Sequence, residues 1–166
     1  LFRHGLSGVL ADDMGLGKTV QALSLLLKVK TEHGSKPVLV VAPTSVLPNW
    51  EREIERFVPS LSKFTWHGAD RKENIGMLAK VDVVLTSYSL IRRDIDQLKQ
   101  VKFRTVILDE AQNIKNADSA TAQACKTIDA DSRVALTGTP LENRLSELWS
   151  IFDFLMPGFL GSSDAF

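Results

Sequence analysis

The residues whose types and spacing could do chemistry begin near the start of the chain, in the run Asp12-Asp13-Met14-Gly15-Leu16-Gly17-Lys18-Thr19. An apolar run, Gly8-Val9-Leu10-Ala11, leads into it and reads as a strand. Val20-Gln21-Ala22-Leu23-Ser24-Leu25-Leu26-Leu27-Lys28 follows and reads as a helix. Strand, glycine turn, Lys-Thr and helix is the layout of a phosphate-binding loop. The glycines let successive backbone N–H groups face inward, and the helix start adds unpaired donors and a partial positive charge. On this reading Asp13, Met14, Gly15, Leu16, Gly17, Lys18 and Thr19 cradle a nucleotide. Lys18 reaches the β- and γ-phosphates, and the Thr19 hydroxyl suits Mg²⁺. The usual pattern has glycine where Asp12 stands. A plain glycine turn capping a helix is the competing reading, and the flanking strand and helix argue against it.

A second cluster, Asp109-Glu110-Ala111-Gln112, ends the apolar run Thr105-Val106-Ile107-Leu108. Asp109 is suited to hold Mg²⁺ through its water shell, and Glu110 to orient and polarise an attacking water. Phosphoryl transfer needs positioning more than covalent chemistry. Alone, an Asp-Glu pair after a strand is as often structural as functional; beside a phosphate loop it becomes a magnesium and catalytic site. A third cluster, Thr137-Gly138-Thr139, ends the run Val134-Ala135-Leu136. It and Gln112 are candidates to report the γ-phosphate to other parts of the protein, with ordinary turn chemistry as the alternative. In an open parallel α/β sheet, ligands bind beyond the carboxyl ends of the strands, where all three clusters fall.

The elements that must position them alternate between strands and helices. Val38-Leu39-Val40-Val41-Ala42 reads as a strand buried on both faces, and Pro43-Thr44-Ser45 ends it, with Ser45 placed to cap a helix. That helix carries Leu47, Trp50, Ile54 and Phe57 on one face. Phe64-Thr65-Trp66-His67 and Val81–Thr86 read as strands joined by a polar helix from Arg71 to Lys80, with the first an inner strand. Ser87-Tyr88-Ser89-Leu90 begins another helix, and Ser119–Ile128 a further one with Thr121, Ala124, Cys125 and Ile128 along one side. The final helix carries Leu141, Leu145, Leu148, Phe152 and Leu155 at helical spacing, and Pro157-Gly158 stops it. The alternation implies an α/β fold with a parallel sheet flanked by helices on both faces.

Composition narrows the class. A length of 166 residues suits one domain with a proper core. Twenty acidic and twenty basic residues cancel, so any attraction to a polyanion is local. One cysteine, Cys125, excludes an internal disulfide and fits a reducing compartment, cytoplasmic or nuclear. No apolar run reaches membrane-spanning length, and no membrane role is expected. Trp50, Trp149 and Cys125 are read as core residues.

Together the clusters resemble motifs I, II and III of superfamily 2 helicase-like ATPases, the third through Leu136-Thr137-Gly138-Thr139-Pro140-Leu141-Glu142-Asn143. More narrowly they resemble the SWI/SNF-type DNA translocases, whose first motif also carries an acidic residue where Asp12 sits. Leu47-Pro48-Asn49-Trp50 with Glu53, Phe57 and Pro59, and Asp82-Val83-Val84-Leu85-Thr86-Ser87-Tyr88, are similar to further family motifs. The block Glu147-Leu148-Trp149-Ser150 through Phe154-Leu155, Pro157-Gly158 and Leu160-Gly161 is the most family-specific part. The family's second motif commonly ends in His, where this chain has Gln112.

The resemblance implies a RecA-like P-loop NTPase lobe that binds ATP and Mg²⁺, with Thr19 and Asp109 on the metal and Lys18, Glu110 and Gln112 in hydrolysis. It implies double-stranded DNA as partner, contacted through Pro43, Thr44 and Ser45 and through Thr86, Ser87 and Tyr88, with backbone and hydroxyl groups meeting phosphates. It implies a second RecA-like lobe of the same protein that supplies arginine fingers, so that the chain reads as the first lobe of a longer protein. Arg144 is then expected to serve local packing or lobe contacts rather than to insert as a finger. The cargo stays open among nucleoprotein such as a nucleosome, RNA polymerase and a repair complex. A nucleotide-dependent binding switch and a strand-separating helicase are the alternatives.

Overall fold

The β-branched runs form a sheet whose inner strands are covered on both faces. In the computed structural model, six strands run in parallel: β1 (Gly8–Ala11), β2 (Val38–Ala42), β3 (Lys63–Thr65), β4 (Val83–Ser87), β5 (Phe103–Leu108) and β6 (Ala130–Thr137). The structure describes residues 7–11, 17–33, 36–138 and 145–161. The strand order is β1-β6-β5-β2-β4-β3. β6 thus lies between β1, which precedes the glycine-rich run, and β5, which Asp109 follows, as a RecA-like fold requires.

Alternation along each strand sorts its side chains between two cores. Val38, Val40 and Ala42 of β2, with Val83, Leu85, Ile107, Val134 and Leu136, face α1 (Lys18–His33) and α2 (Leu47–Phe57). Leu39 and Val41, with Val84, Val106, Leu108 and Ala135, face the opposite layer. That layer contains α3 (Tyr88–Arg93), α4 (Ile95–Leu98), α5 (Ala120–Thr127) and α6 (Leu145–Leu155). Every residue of β2 and β4 is buried, which is why these strands read as unbroken apolar runs.

The edge at the amino ends of the strands is tied by ion pairs. Asp82 accepts from Lys30 at 2.8 Å and from the Ser62 N–H and hydroxyl, while Asp131 pairs with Lys36 at 2.8 Å and Arg104 at 3.0 Å. The opposite edge is left to chemistry.

Several local expectations change. Trp66 is fully buried, but β3 stops at Thr65 and is the outermost strand, not an inner one. Instead of a helix from Arg71 to Lys80, a 3-10 segment spans Asp70–Met77, broken by non-helical geometry at Asn74. Arg71 turns inward there to a buried carboxylate, and that ion pair, not helical periodicity, fixes the segment. Asp94 accepts from Arg71 Nε at 2.6 Å, Arg71 Nη2 at 3.1 Å and the Trp66 indole at 3.0 Å. Ser45 caps no helix: Thr44–Val46 forms a 3-10 turn, and α2 starts after Val46 with Pro48 in its first turn. Phe57, expected on the buried face of α2, is 46% exposed.

On α6 the buried residues are Ser150, Ile151, Asp153, Phe154 and Leu155, whereas Leu145 is 69% exposed. The buried hydroxyl and carboxylate are satisfied, Ser150 donating to the Ile114 carbonyl and Asp153 accepting from Lys126 at 2.6 Å. On α5 the buried set is Ala122, Ala124 and Cys125, with Thr121 only partly covered. Cys125 is a core residue as expected, its thiol pushed up to about 12 by burial. Trp50 is fully buried, while Trp149 is only half-buried. Leu141 and Arg144 lie outside the described residues.

Candidate nucleotide site

The register brings the strand ends to one edge: Ala11 sits opposite Thr137, Leu108 opposite both Ala135 and Val41, and Ala42 opposite Ser87. Gly17 stands immediately before α1 with φ +76°, a backbone region that glycine enters without penalty. The Gln21 N–H donates to the Gly17 carbonyl at 3.0 Å, so the helix starts at the loop itself. Lys18 and Thr19 form its first turn, half-buried at the sheet edge. Asp13, Met14, Gly15 and Leu16 lie outside the described residues, as does Thr139.

Asp109 follows β5 directly, its N–H donating to the Val41 carbonyl at 2.8 Å. Its carboxylate is almost completely occluded and has two identified donors. The Trp50 indole N–H donates to Oδ2 at 2.8 Å, and the Glu110 N–H donates to Oδ1 at 2.9 Å. Burial pushes the Asp109 carboxyl above the ordinary aspartate range; the Trp50 hydrogen bond and the positive charge of Lys18 pull the other way without cancelling it. A buried carboxylate so incompletely compensated, beside a lysine at a helix start, fits a bound cation and a phosphate.

Glu110 is the one non-glycine among the described residues with positive φ, at φ 51° and ψ 56°. Left-handed geometry at a residue with a Cβ costs about 1–2 kcal/mol, so the surroundings must hold it. They do. The Glu110 carbonyl accepts from the Asn113 N–H at 3.0 Å and from its side-chain amide at 2.8 Å. The Tyr88 hydroxyl donates to the Asp109 carbonyl at 2.7 Å and lies 3.5 Å from that of Glu110.

Gln112 joins the second and third clusters. Its Nε2 donates to Glu110 Oε2 at 2.6 Å, and its Oε1 accepts from the Thr137 hydroxyl at 3.2 Å. Thr137 is buried, and Gly138 follows it at the surface edge. Lys18, Asp109, Glu110, Gln112 and Thr137 therefore meet at one edge, as their positions after strands suggest.

The two turns assigned to DNA differ. Pro43 is half-buried, and Thr44 and Ser45 are exposed. Thr86, Ser87 and Tyr88 are all buried and engaged. Thr86 donates to the Trp66 carbonyl at 3.3 Å, and Ser87 caps α3 by accepting from the Leu90 N–H. The exposed hydroxyl of this turn belongs to Ser89, 3.0 Å from Ser87 Oγ. In the sequence the DNA role falls to its neighbours Thr86, Ser87 and Tyr88, and Ser89 reads only as part of the helix start. Trp50 reads there only as a core residue, and no local signal marks it as a partner of Asp109, 59 residues away.

This sheet order, with a helix-initiating lysine, an Asp-Glu pair after β5 and a threonine at the end of β6, defines a RecA-like α/β lobe of the helicase-like ATPase class. The SNF2-related domain matches residues 2–166, and the chain belongs to that family. A putative ATP-dependent helicase/translocase, YwqA of Bacillus subtilis, is 48% identical over the whole chain, which spans 18% of that relative's length. The ISWI chromatin-remodeling complex ATPase ISW2 of Saccharomyces cerevisiae is 40% identical, again over the whole chain and 15% of the relative. The Sulfolobus solfataricus SWI2/SNF2 ATPase core, solved in complex with dsDNA, superposes with a TM-score of 0.92 at 44% identity, over 99% of this chain and 34% of that one. No described helix is long and apolar enough to cross a membrane.

Proposed function

We propose that this chain is the first RecA-like lobe of a longer motor protein that hydrolyses ATP to ADP and phosphate and uses the cycle to move along double-stranded DNA. The carrying observation is the hydrogen-bonded path Asp109–Glu110–Gln112–Thr137 beside the Lys18 helix start. Lys18 meets phosphate charge, with backbone N–H groups from Asp13 to Thr19 completing the cradle. Thr19 and Asp109 hold Mg²⁺, which when bound neutralises the phosphate oxygens and the buried carboxylate alike. Glu110, held by Gln112, orients the attacking water and accepts its proton. Gln112, Thr137, Gly138 and Thr139 pass the state of the γ-phosphate onward. A switch that merely bound nucleotide would not need a carboxylate held in a costly backbone geometry.

The DNA complex of the Sulfolobus relative supports duplex DNA as the track. On this chain the contacts come from Pro43, Thr44 and Ser45, and at Thr86, Ser87 and Tyr88 from backbone groups and the neighbouring Ser89 hydroxyl. Phosphate contacts of this kind carry no sequence preference and weaken with salt. A second RecA-like lobe of the same protein supplies the arginine that meets developing charge on the γ-phosphate. The cargo is nucleoprotein, RNA polymerase or a repair complex, in the nucleus or on a nucleoid.

Steady-state ATPase activity of the full-length protein tests this, with duplex DNA, single-stranded DNA or none. Duplex DNA should stimulate turnover, and rising salt should erase the stimulation. Robust displacement of an annealed strand would instead favour a strand-separating helicase, and stimulation by neither nucleic acid a binding switch. Residues 1–166 alone should turn over slowly with or without DNA.

A further inference from the structure

Asp109 is gripped from both sides of the sheet by the polar tips of two aromatic side chains that otherwise belong to opposite cores. Trp50 is buried in the layer of α1 and α2, and its indole N–H reaches the Asp109 carboxylate at 2.8 Å. Tyr88 is buried in the layer of α3 to α6, and its hydroxyl reaches the Asp109 carbonyl at 2.7 Å.

Each tip sits on a helix started by one of the two turns at the DNA-facing edge. Trp50 is in the first turns of α2, entered through Pro43-Thr44-Ser45, where the Val46 N–H donates to the Pro43 carbonyl at 2.8 Å. Tyr88 is the first residue of α3, immediately after the Ser87 cap. The two grips act on different parts of the same residue. Trp50 fixes the carboxylate oxygen, while Tyr88 fixes the peptide that leads into the left-handed Glu110.

We propose that Trp50 and Tyr88 are positioning residues that transmit engagement of the two DNA-facing turns to the Asp109-Glu110 carboxylates, one through each face of the sheet. The inference rests on the DNA-motor reading above. Movement of either turn against a phosphate backbone shifts the helix it starts, and the aromatic tip moves the carboxylate pair. The coupling is reciprocal for binding: nucleotide in the site must alter duplex affinity by the same factor that duplex alters nucleotide affinity.

The test uses the full-length protein with Trp50→Phe and Tyr88→Phe, which remove one donor each and keep an aromatic ring in the core. Three quantities are measured: the ratio of kcat with and without duplex DNA, the Kd for duplex DNA, and the factor by which duplex changes the Kd of ADP. In Tyr88→Phe the stimulation ratio should fall about tenfold, the rate equivalent of roughly one lost hydrogen bond. The ADP–duplex coupling factor should shrink toward one, and duplex Kd without nucleotide should move less than about twofold, because the phenol faces Asp109 and not the track. Trp50→Phe should shrink the same coupling factor. The double variant should lose less than the product of the single losses, since both act through one residue.

If wild type is stimulated and both variants keep its stimulation ratio and coupling factor, the positioning role is wrong and the functional reading stands. A weaker duplex Kd as the main effect of Tyr88→Phe would make the phenol a DNA contact and also overturn it. A wild-type protein unmoved by duplex DNA would overturn the functional reading, and the coupling with it.

Discussion

Asp94→Ala removes the acceptor at the centre of the buried cluster joining Trp66, the 3-10 segment and the end of α3. The carboxylate is fully buried, with Arg71 donating twice and Trp66 once. Lys72 at 3.6 Å and Arg93 at 3.9 Å are exposed and add little. Deleting one partner of a buried pair costs about 3–5 kcal/mol, because the other charge keeps its desolvation penalty without compensation. For a domain of this size each kcal/mol lowers Tm by roughly 2–4 °C, so a fall of about 6–20 °C is expected. Thermal melts followed by circular dichroism measure the shift, and urea titration followed by tryptophan fluorescence measures the free-energy cost. The double replacement Arg71→Met with Asp94→Leu should recover much of the loss, since no charge remains buried. A cost below about 1 kcal/mol for Asp94→Ala, or a double variant no better than the single one, would refute a cluster held by paired charge.

Four further outcomes follow from other residues. Glu110→Gln in the full-length protein should bind ATP but hydrolyse it about 10²–10⁴-fold more slowly, which single-turnover assays beside nucleotide binding would separate; wild-type turnover would remove Glu110 from its role. Lys18→Ala should weaken nucleotide binding itself, read as the Kd of a fluorescent ATP analogue. Gln112→Ala should slow hydrolysis less than Glu110→Gln while abolishing any added effect of Thr137→Val, because the two side chains share one path; independent, multiplicative losses would break that path. Stability should fall in acid: Asp94 and Asp82, lowered by their donors despite burial, and Asp131, lowered by Lys36, all sit below the ordinary aspartate value. Their contribution is whole above about pH 4 and disappears as pH drops through the lowered values, which urea midpoints across an acid series would show.

The sheet was legible because β2, β4 and β5 are buried on both faces and leave unbroken β-branched runs in the sequence. The polar clusters were legible because each follows such a run. Residues that act at long range were not. Trp50 reads as a core residue and Tyr88, through the family resemblance, as a DNA contact, whereas their polar tips meet a residue 59 and 21 positions away. The face of α6 was misread for a related reason. Ser150 and Asp153 are buried because Ile114 and Lys126 satisfy them, so a polarity pattern hides the side that packs. Arg71 likewise looks like solvent-facing charge until Asp94 is seen opposite it.

The left-handed backbone at Glu110 sets two kinds of selection against each other. Glycine or asparagine would relax that position, so a library of variants chosen only for surviving heat should accumulate them at residue 110. Each would arrive without the carboxylate held by Gln112. A library chosen for work done would return glutamate every time and accept the cost in melting temperature. Position 110 is therefore where a consensus drawn from stabilised variants and a consensus drawn from active ones should part company most sharply, and where thermostabilising this lobe by sequence alone would silently retire it.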